Sequence, residues 1–454
     1  MFKKILVANR GEIAIRIIRA CRDMGIISVA VYSDADEEAM HANMADESLC
    51  IGGAMAKDSY LNMKAVITAA KIAEADAIHP GYGFLAENAA FVKMCEDNGI
   101  KFIGPSAKSI SMMGDKAKAK SAMIRAGVPT IPGSNGVVHS LLECDDICDR
   151  IGYPVMIKAS AGGGGKGIRQ VNDREALKNA YNMCRAEAKA SFGDDSIYIE
   201  KLIVNPRHIE IQIIADEFGK TVHLFERDCS LQRRHQKIIE EAPSTFVDED
   251  LRRRMGDAAI KAAKVSGYVN VGTVEFLVDS NKNFYFLEMN TRIQVEHPVT
   301  ELVTGIDIVT EQIKIASGEP LGYSQGDIKI VGHSIECRIN AENPDKNFAP
   351  SPGTIDVLNV PGGPGIRVDS ATYQGYNIPP YYDSMIAKLI VKGKDREEAI
   401  ARMRRALAEY HFEGIITNVE YHLELLSTEE FQKGECTINF IDEYNKNRQT
   451  TQVQ

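Results

Sequence analysis

Glu288-Met-Asn-Thr-Arg-Ile-Gln-Val-Glu296-His297-Pro298 decides how the rest of this chain is read. It puts carboxylates, an amide and a guanidinium on a run expected to start as a buried strand. Phe284, Phe286 and Met289 surround Glu288, and Tyr285 and Leu287 precede it. Charged side chains are almost never fully buried unless they are paired or hold a metal. The run therefore reads as chemistry rather than scaffold. Just upstream, Val274, Phe276 and Val278 alternate with Glu275 and Leu277, and the turn Asp279-Ser-Asn-Lys282 leads into the return strand. This pattern predicts a hairpin of residues 273–278 and 283–290 with Glu275 opposite Glu288. Like charges facing across a ladder cost up to ~1 kcal/mol, so a cation is expected between them. With Asn290 beside them, the donors are hard oxygens suited to Mg2+ or Mn2+ sharing phosphate oxygens. The alternative is an edge hairpin whose glutamates simply face water.

Outward from this hairpin, the first hundred residues alternate strand and helix. Apolar runs at 4–8, 28–32, 77–78 and 100–103 alternate with helical stretches such as 13–24. That alternation predicts a doubly wound parallel sheet, an α/β fold. The turn Asn9-Arg10-Gly11-Glu12 has one glycine and lacks the dinucleotide fingerprint. A Lys- and Ala-rich helix is expected over 113–127, followed by a Pro/Gly connector over 128–136. The strand 153–159 runs into Ser160-Ala-Gly-Gly-Gly-Gly-Lys166-Gly167. Its glycines allow close approach of backbone N–H groups to phosphate. In the strand 207–213, His208, Glu210 and Gln212 share one face and Ile209, Ile211 and Ile213 the other, which predicts one core face and one cleft or wet face. Arg227 to Lys237 carries several cationic groups around an expected turn, a density that calls for an anion. In the strand 333–340, Arg338 alternates away from the core, with a surface pair to Glu336 as the plain reading.

The whole chain has 454 residues, expected to form about two to four domains. The formal charge of −10 and the lack of a basic stripe argue against a nucleic-acid partner. Arg252-Arg253-Arg254 reads as a solvated helix start. Nine scattered cysteines without a paired spacing suggest packed, reduced thiols. The N-terminal apolar run is too short for a signal-peptide core, and no window has the length of a membrane span. A soluble, cytoplasmic protein with a mobile polar tail over 445–454 is expected.

The strings ILVANRGEIAIRIIRAC, HPGYGFLAEN, FIGPS, GDKAKAK, KASAGGGGKG, RDCSLQRRHQKIIEEAP and EMNTRIQVEHPVTELVTGIDIV resemble those of biotin carboxylase, an ATP-grasp enzyme. The resemblance runs from about residue 5 to 410. It implies an N-terminal doubly wound domain (1–113), an ATP-grasp domain (114–330) with a mobile glycine-rich lid at about 131–202, a C-terminal α+β domain (331–446) and a tail (447–454). The implied reaction joins ATP and bicarbonate into carboxyphosphate, which carboxylates the ureido nitrogen of biotin. No biotin-attachment motif is present, so biotin is expected on a separate biotin carboxyl carrier protein, with separate carboxyltransferase subunits and a homodimeric enzyme.

By the same resemblance, Lys116, Lys158, Gly164 and Gly165 hold ATP phosphates. Glu200, Lys201, Leu202 and Ile203 take adenine, and His208, Gln232 and His235 complete the nucleotide pocket. Glu275, Glu288 and Asn290 hold Mg2+. Bicarbonate sits among Lys237, Arg292, Gln294, the Val295 backbone and Glu296, with Glu296 as base. Tyr82, Gly83 and Arg338 touch biotin. Ala161, Lys166 and Ile168 depart from residues common in the family without touching these roles. Two other readings compete. Another ATP-grasp ligase that phosphorylates a carboxylate lacks the Arg292–Glu296 cluster, and a nucleotide-sensing regulatory subunit would have lost its base or metal ligands.

Overall fold

The computed structural model describes residues 1–134, 136–159, 168–192 and 194–452. They form two compact units. One comprises Met1–Val128, Arg207–Phe276 and Glu288–Gln454, the other Pro129–Pro206 and Leu277–Leu287.

The larger unit opens with five parallel strands: β1 (Lys4–Val7), β2 (Ile27–Tyr32), β3 (Glu47–Cys50), β4 (Ala77–His79) and β5 (Lys101–Phe102), in the order β3-β2-β1-β4-β5. The central strands are apolar on both faces: Ile5, Leu6, Val7, Val29 and Val31 are fully buried. That is the expected composition of a parallel sheet covered on two sides. The first turn carries Gly11 at φ +65° into helix α1 (Gly11–Asp23), whose Ile13, Ile17, Ile18 and Cys21 are buried. Strand β3 was not foreseen. Its Glu47-Ser-Leu-Cys50 is mostly exposed at the sheet edge, so it lacks an apolar signature. The helix expected over 113–127 is two helices, Ala107–Gly114 and Lys116–Arg125. Asp115 breaks them, its carboxylate accepting from the Ala117 and Lys118 amides at 3.1 Å as an N-cap.

In the smaller unit, β6 (Val155–Ala159), β7 (Ile168–Val171) and β8 (Ile197–Lys201) form an antiparallel sheet in the order β7-β6-β8. Helices Leu141–Ile151 and Arg174–Phe192 pack on it. The glycine run with Gly164 and Gly165 lies outside the described residues.

The second large sheet contains β9 (Arg207–Ala215), β10 (Thr221–Arg233), β11 (Gln236–Ala242), β12 (Asn270–Val278), β13 (Phe284–Asn290) and β14 (His333–Asn340). Its order is β13-β12-β9-β10-β11-β14, continued by strands Met385–Gly393 and Ile366–Ser370. From β9 through β10, β11 and β14 the pairing is antiparallel. The sheet thus joins the hairpin of the opening motif to strands near the C-terminus. The 445–454 segment departs from the expected loose tail: helix Phe440–Gln452 includes it up to Gln452. Arg448 anchors that helix, donating to Glu424 at 2.8 and 3.0 Å.

Glu241 on β11 ties this sheet to helix Arg396–Glu409. It meets His333 of β14 at 2.7 Å and accepts from Arg396 at 2.7 Å. Burial pushes its pKa up, but His333 and Arg396 outweigh burial and hold it at about 2, against an ordinary 4.5. A depressed folded-state value stabilises above the unfolded pKa and is lost as pH falls through the folded one. Glu241→Gln is therefore expected to lose about 2–3 kcal/mol at neutral pH. The gap from the parent should close as pH drops below about 4.5 toward 2. Urea midpoints across that range measure it; a gap that stays constant would remove Glu241 from this role.

Candidate active site

Strand β9 is buried on both faces. Ile209, Ile211 and Ile213 fill one side, yet Glu210 and Gln212 are also 0% exposed and His208 only 6%. The polar face is therefore neither wet nor an open cleft wall. It is covered by Arg227, the cross-strand partner of Glu210 on β10. Arg227 is fully buried. Its Nε donates to Glu210 at 2.5 Å, Nη1 to Gln212 at 2.7 Å and Thr300 at 3.0 Å, and Nη2 to Thr273 at 3.1 Å and Gln294 at 2.7 Å. Every guanidinium N–H is used. The Arg227–Lys237 segment therefore spends Arg227 on protein partners rather than on an anion. It is a strand and a tight turn, with Arg234 and His235 at positive φ, followed by β11.

That turn aims Lys237 back across the sheet. Its ammonium donates to Glu210 at 2.5 Å, Glu275 at 2.8 Å and Glu296 at 2.6 Å. Oε1 of Glu275 also accepts from Asn290 and Gln294, both at 2.8 Å, and its Oε2 lies 3.1 Å from His208 Nε2. Burial opposes ionisation of all three acids. It is outweighed by Arg227 and Lys237 at Glu210, by Lys237 and His208 at Glu275, and by Lys237 and Arg338 at Glu296, so all three are held below the ordinary carboxylate range. Burial lowers the Lys237 pKa, but the three carboxylates raise it well above its usual value.

The opening motif continues around this cluster. Glu288 corrects the expectation of a buried charge, for it and Leu287 are exposed while Phe284, Phe286 and Met289 are buried. Partial desolvation and the Glu275 charge raise its pKa, and Lys116, exposed at the start of its helix, opposes them. Arg292 donates to Glu87 at 3.0 Å and to Asn290 Oδ1 at 3.1 Å. Gln294 spends one end on Arg227 and the other on Glu275. The Val295 carbonyl accepts from Lys388 at 2.8 Å. Arg338 does not make the expected surface pair with Glu336. Its guanidinium donates to Glu240 at 2.6 Å and Glu296 at 3.0 Å. Tyr82 donates to Glu12 beside exposed Gly83.

Other expected site residues lie around the edge or apart. Gln232 donates to the Cys229 carbonyl at 2.9 Å, and His235 is exposed in its turn. In the smaller unit Lys158 pairs with Glu200 at 2.7 Å, Lys201 donates to the carbonyls of Gly152 and Tyr153, and Leu202 N–H donates to that of Pro154, with Ile203 following partly buried. Arg252 is buried against Glu226, not solvated. Arg227 was singled out by sequence only as the start of an expected cationic turn, and Glu87, Glu240 and Lys388 were not singled out. Only Lys388 left a local signal, one charge inside the apolar run Met385-Ile-Ala-Lys-Leu-Ile-Val391.

A divalent metal fits Glu275 and Glu288. Both offer carboxylate oxygen, and the raised Glu288 pKa marks a charge that a cation would compensate. Asn290 Oδ1 accepts from Arg292, so its amide must release that bond to join them. His208, Glu210 and Glu275 also bring ligand atoms within 4.8 Å of one another, but Lys237 and Arg227 already neutralise Glu210, and a metal at Glu275 would likewise have to displace bonds from Lys237 or His208.

Comparison with known proteins shows the family. The family models described as Biotin carboxylase, N-terminal domain, and Biotin carboxylase C-terminal domain match residues 1–110 and 336–443. Carbamoyl-phosphate synthase L chain, ATP binding domain, matches 115–324. The chain is 58% identical to Biotin carboxylase 1 of Bacillus subtilis, covering 98% of this chain and 99% of that one. The chain belongs to the biotin carboxylase family. It is thereby an ATP-dependent ligase with an ATP-grasp fold. It is also 56% identical to a pyruvate carboxylase subunit of Methanothermobacter thermautotrophicus, over 98% of this chain and 91% of that one. A solved biotin carboxylase domain dimer of 2-oxoglutarate carboxylase from Hydrogenobacter thermophilus, in complex with MgADP, ADP and bicarbonate, superposes with TM-score 0.88 at 52% identity, over 98% of each chain.

Arg227 is the internal support of this biotin carboxylase site. Arg227→Met strips the counter-charge from Glu210 and the orienting bonds from Gln294. We expect a loss of about 3–5 kcal/mol, as for other broken buried pairs, measured by urea unfolding. A loss below about 1 kcal/mol would show that the five bonds are incidental.

Proposed function

We propose that this chain carboxylates the ureido nitrogen of biotin, carried on a separate biotin carboxyl carrier protein, using ATP and bicarbonate. The observation that carries the reading is Lys237, whose one ammonium donates to both Glu275, the proposed metal ligand, and Glu296, the proposed base. Glu296 is held ionised, so it can take the bicarbonate proton. The freed carbonate oxygen attacks the γ-phosphorus of ATP. A new O–P bond forms, the bond to the ADP oxygen breaks, and carboxyphosphate results. Lys237 and Arg292 supply positive charge to the anion, Arg292 as a planar fork. Phosphoryl transfer depends mainly on such positioning and charge. Glu275, Glu288 and Asn290 would hold Mg2+ or Mn2+, which would supply positive charge to the phosphate oxygens. Lys116, Lys158, Gly164 and Gly165 cover the phosphates, Glu200 to Ile203 take adenine, and His208, Gln232 and His235 border the nucleotide.

Carboxyphosphate then breaks its C–O bond to phosphate, the released phosphate takes the proton of the biotin nitrogen, and that nitrogen forms the new bond to the carboxyl carbon. Arg338 stabilises the developing ureido oxyanion, with Tyr82 and Gly83 against the biotin rings. The homodimer, the cytoplasmic setting, the three-domain division at about 113 and 330, and the carboxyltransferase partners belong to the same proposal. Its supports are the near-complete coverage of the Bacillus relative and the dimeric solved domain. Among the described residues no helix is long and apolar enough to cross a membrane. Acetyl-CoA carboxylation, the first committed chemistry of fatty acid synthesis, is the proposed destination. The archaeal pyruvate carboxylase relative supports pyruvate as the second reading, with propionyl-CoA a third.

ADP release should depend on bicarbonate and rise with free biotin. ADP release indifferent to both would overturn the assignment. Glu296→Ala should keep ATP binding and lose about 10²–10⁴ in turnover, the usual worth of a general base; normal turnover would take the base role away. Arg338→Ala should impair biotin carboxylation far more than biotin-independent ATP cleavage, and equal losses would refute its assignment.

A further inference from the structure

Beneath Arg338 lie two carboxyl groups that the chemistry above does not use. Glu240 of β11 and Glu336 of β14 are directly opposite each other in the antiparallel ladder, and both are 0% exposed. Directly opposed residues hold their Cβ atoms about 4.5–5.5 Å apart, which lets two carboxyl groups meet. Oε1 of Glu240 accepts from Arg338 at 2.6 Å. Its Oε2 has no hydrogen-bond partner, and neither has either oxygen of Glu336. A carboxylate accepts but cannot donate, so two ionised groups here would leave three buried oxygens unsatisfied and two like charges opposed.

We infer that Glu336 is a neutral carboxylic acid that donates to Oε2 of Glu240, and that this acid–carboxylate pair is the positioning element that holds Arg338 toward the reacting biotin. One proton satisfies Oε2 of Glu240 and one of the two Glu336 oxygens and removes the opposed charges, and Oε1 of Glu240 is left to orient the guanidinium. The groups facing Glu336 agree with one retained proton. Lys388 on strand Met385–Gly393 and Arg338 on β14 favour its ionisation, while Glu240 on β11, Glu296 ahead of helix His297–Thr304, and burial oppose it; Tyr82 adds its hydroxyl. The opposing effects win: burial foremost raises the Glu336 pKa well above the ordinary carboxylate range, and burial puts Glu240 at about 7. Lys388 is already committed to the Val295 carbonyl and lies 3.1 Å from Glu12, which leaves Glu336 without a cation of its own.

The inference rests on Arg338 as the biotin contact, but its first test does not. Glu336→Gln replaces the acid O–H with an amide N–H of the same shape. The infrared difference spectrum, parent minus variant at neutral pH, should show loss of a neutral carboxylic-acid carbonyl band. Glu240→Gln, which leaves the acid in place with a new neighbour, should shift that band without abolishing it. In steady-state assays, Glu336→Gln should stay within about threefold of the parent with free biotin, whereas Glu336→Ala should lose about tenfold or more. The Ala loss should fall on biotin-dependent turnover and the biotin KM more than on ATP cleavage without biotin. Absence of the band loss in Glu336→Gln, or equal biotin-dependent losses in the Gln and Ala variants, overturns the inference. Failure of the function itself would instead show as ADP release indifferent to biotin and bicarbonate in the parent.

Discussion

One ammonium among three carboxylates is the constraint on which the site depends. Lys237 reaches Glu210, Glu275 and Glu296 at 2.5, 2.8 and 2.6 Å, and each acid is almost completely buried. Removing a single ion from water costs several kcal/mol even after relaxation, so one positive charge cannot hold three negative ones. Further cations complete the balance: Arg227 under Glu210, His208 beside Glu275, Arg338 on Glu296. The backbone is arranged to deliver them. Arg227 comes from the middle of β10 and Lys237 from the start of β11. The turn between them needs positive φ at Arg234 and His235 to reverse within two residues.

The opening motif functions as a bridge across this array. It leaves β13 at Asn290, whose amide donates to Glu275, and passes Arg292, held by Glu87 from the N-terminal segment. It then sends Gln294 between Arg227 and Glu275 before Glu296 reaches Lys237 and Arg338. Four regions far apart in sequence, around residues 87, 210–240, 275–296 and 338, therefore meet through side chains of one short run. The apolar members of the run hold it in place: Ile293 is buried in the core that α1 shares with helix Ile308–Ala316.

What could be read in advance follows from range. Period-two alternation gave away the hairpin and β9, and short apolar runs gave away β1, β2 and β4, because these signals are local. Glu210 and Gln212 were placed on the correct face, but their burial depends on Arg227, a partner on another strand. Glu87 and Glu240 carry no local mark; their roles arise only when distant strands pair. Edge strand β3 is too polar to announce itself. The C-terminal helix has a mostly polar sequence, and what holds it are distant partners: the core around Phe440 and Ile441, and Glu424 of a separate helix, which accepts from Tyr444 and Arg448. The Glu275–Glu288 pair shows the opposite error, where a local pattern implied two buried charges and the structure buries only Glu275.

The same cations that hold the acids ionised also limit how the proposed chemistry can begin. A base with a depressed pKa is a weak one, since proton affinity and basic strength rise together. Glu296 owes its depressed value to Lys237 and Arg338, which overcome the opposing push of burial and Glu210. In the proposed chemistry, anionic bicarbonate and the developing biotin oxyanion draw on those very cations. As Lys237 turns toward bicarbonate, or Arg338 toward biotin, Glu296 loses favourable charge while remaining buried, and its affinity for a proton rises. On that proposal the base strengthens when its substrates arrive. Glu296 is paired with Lys237 and Arg338, so in the proposed reaction proton abstraction is coupled to substrate binding by simple competition for two positive charges.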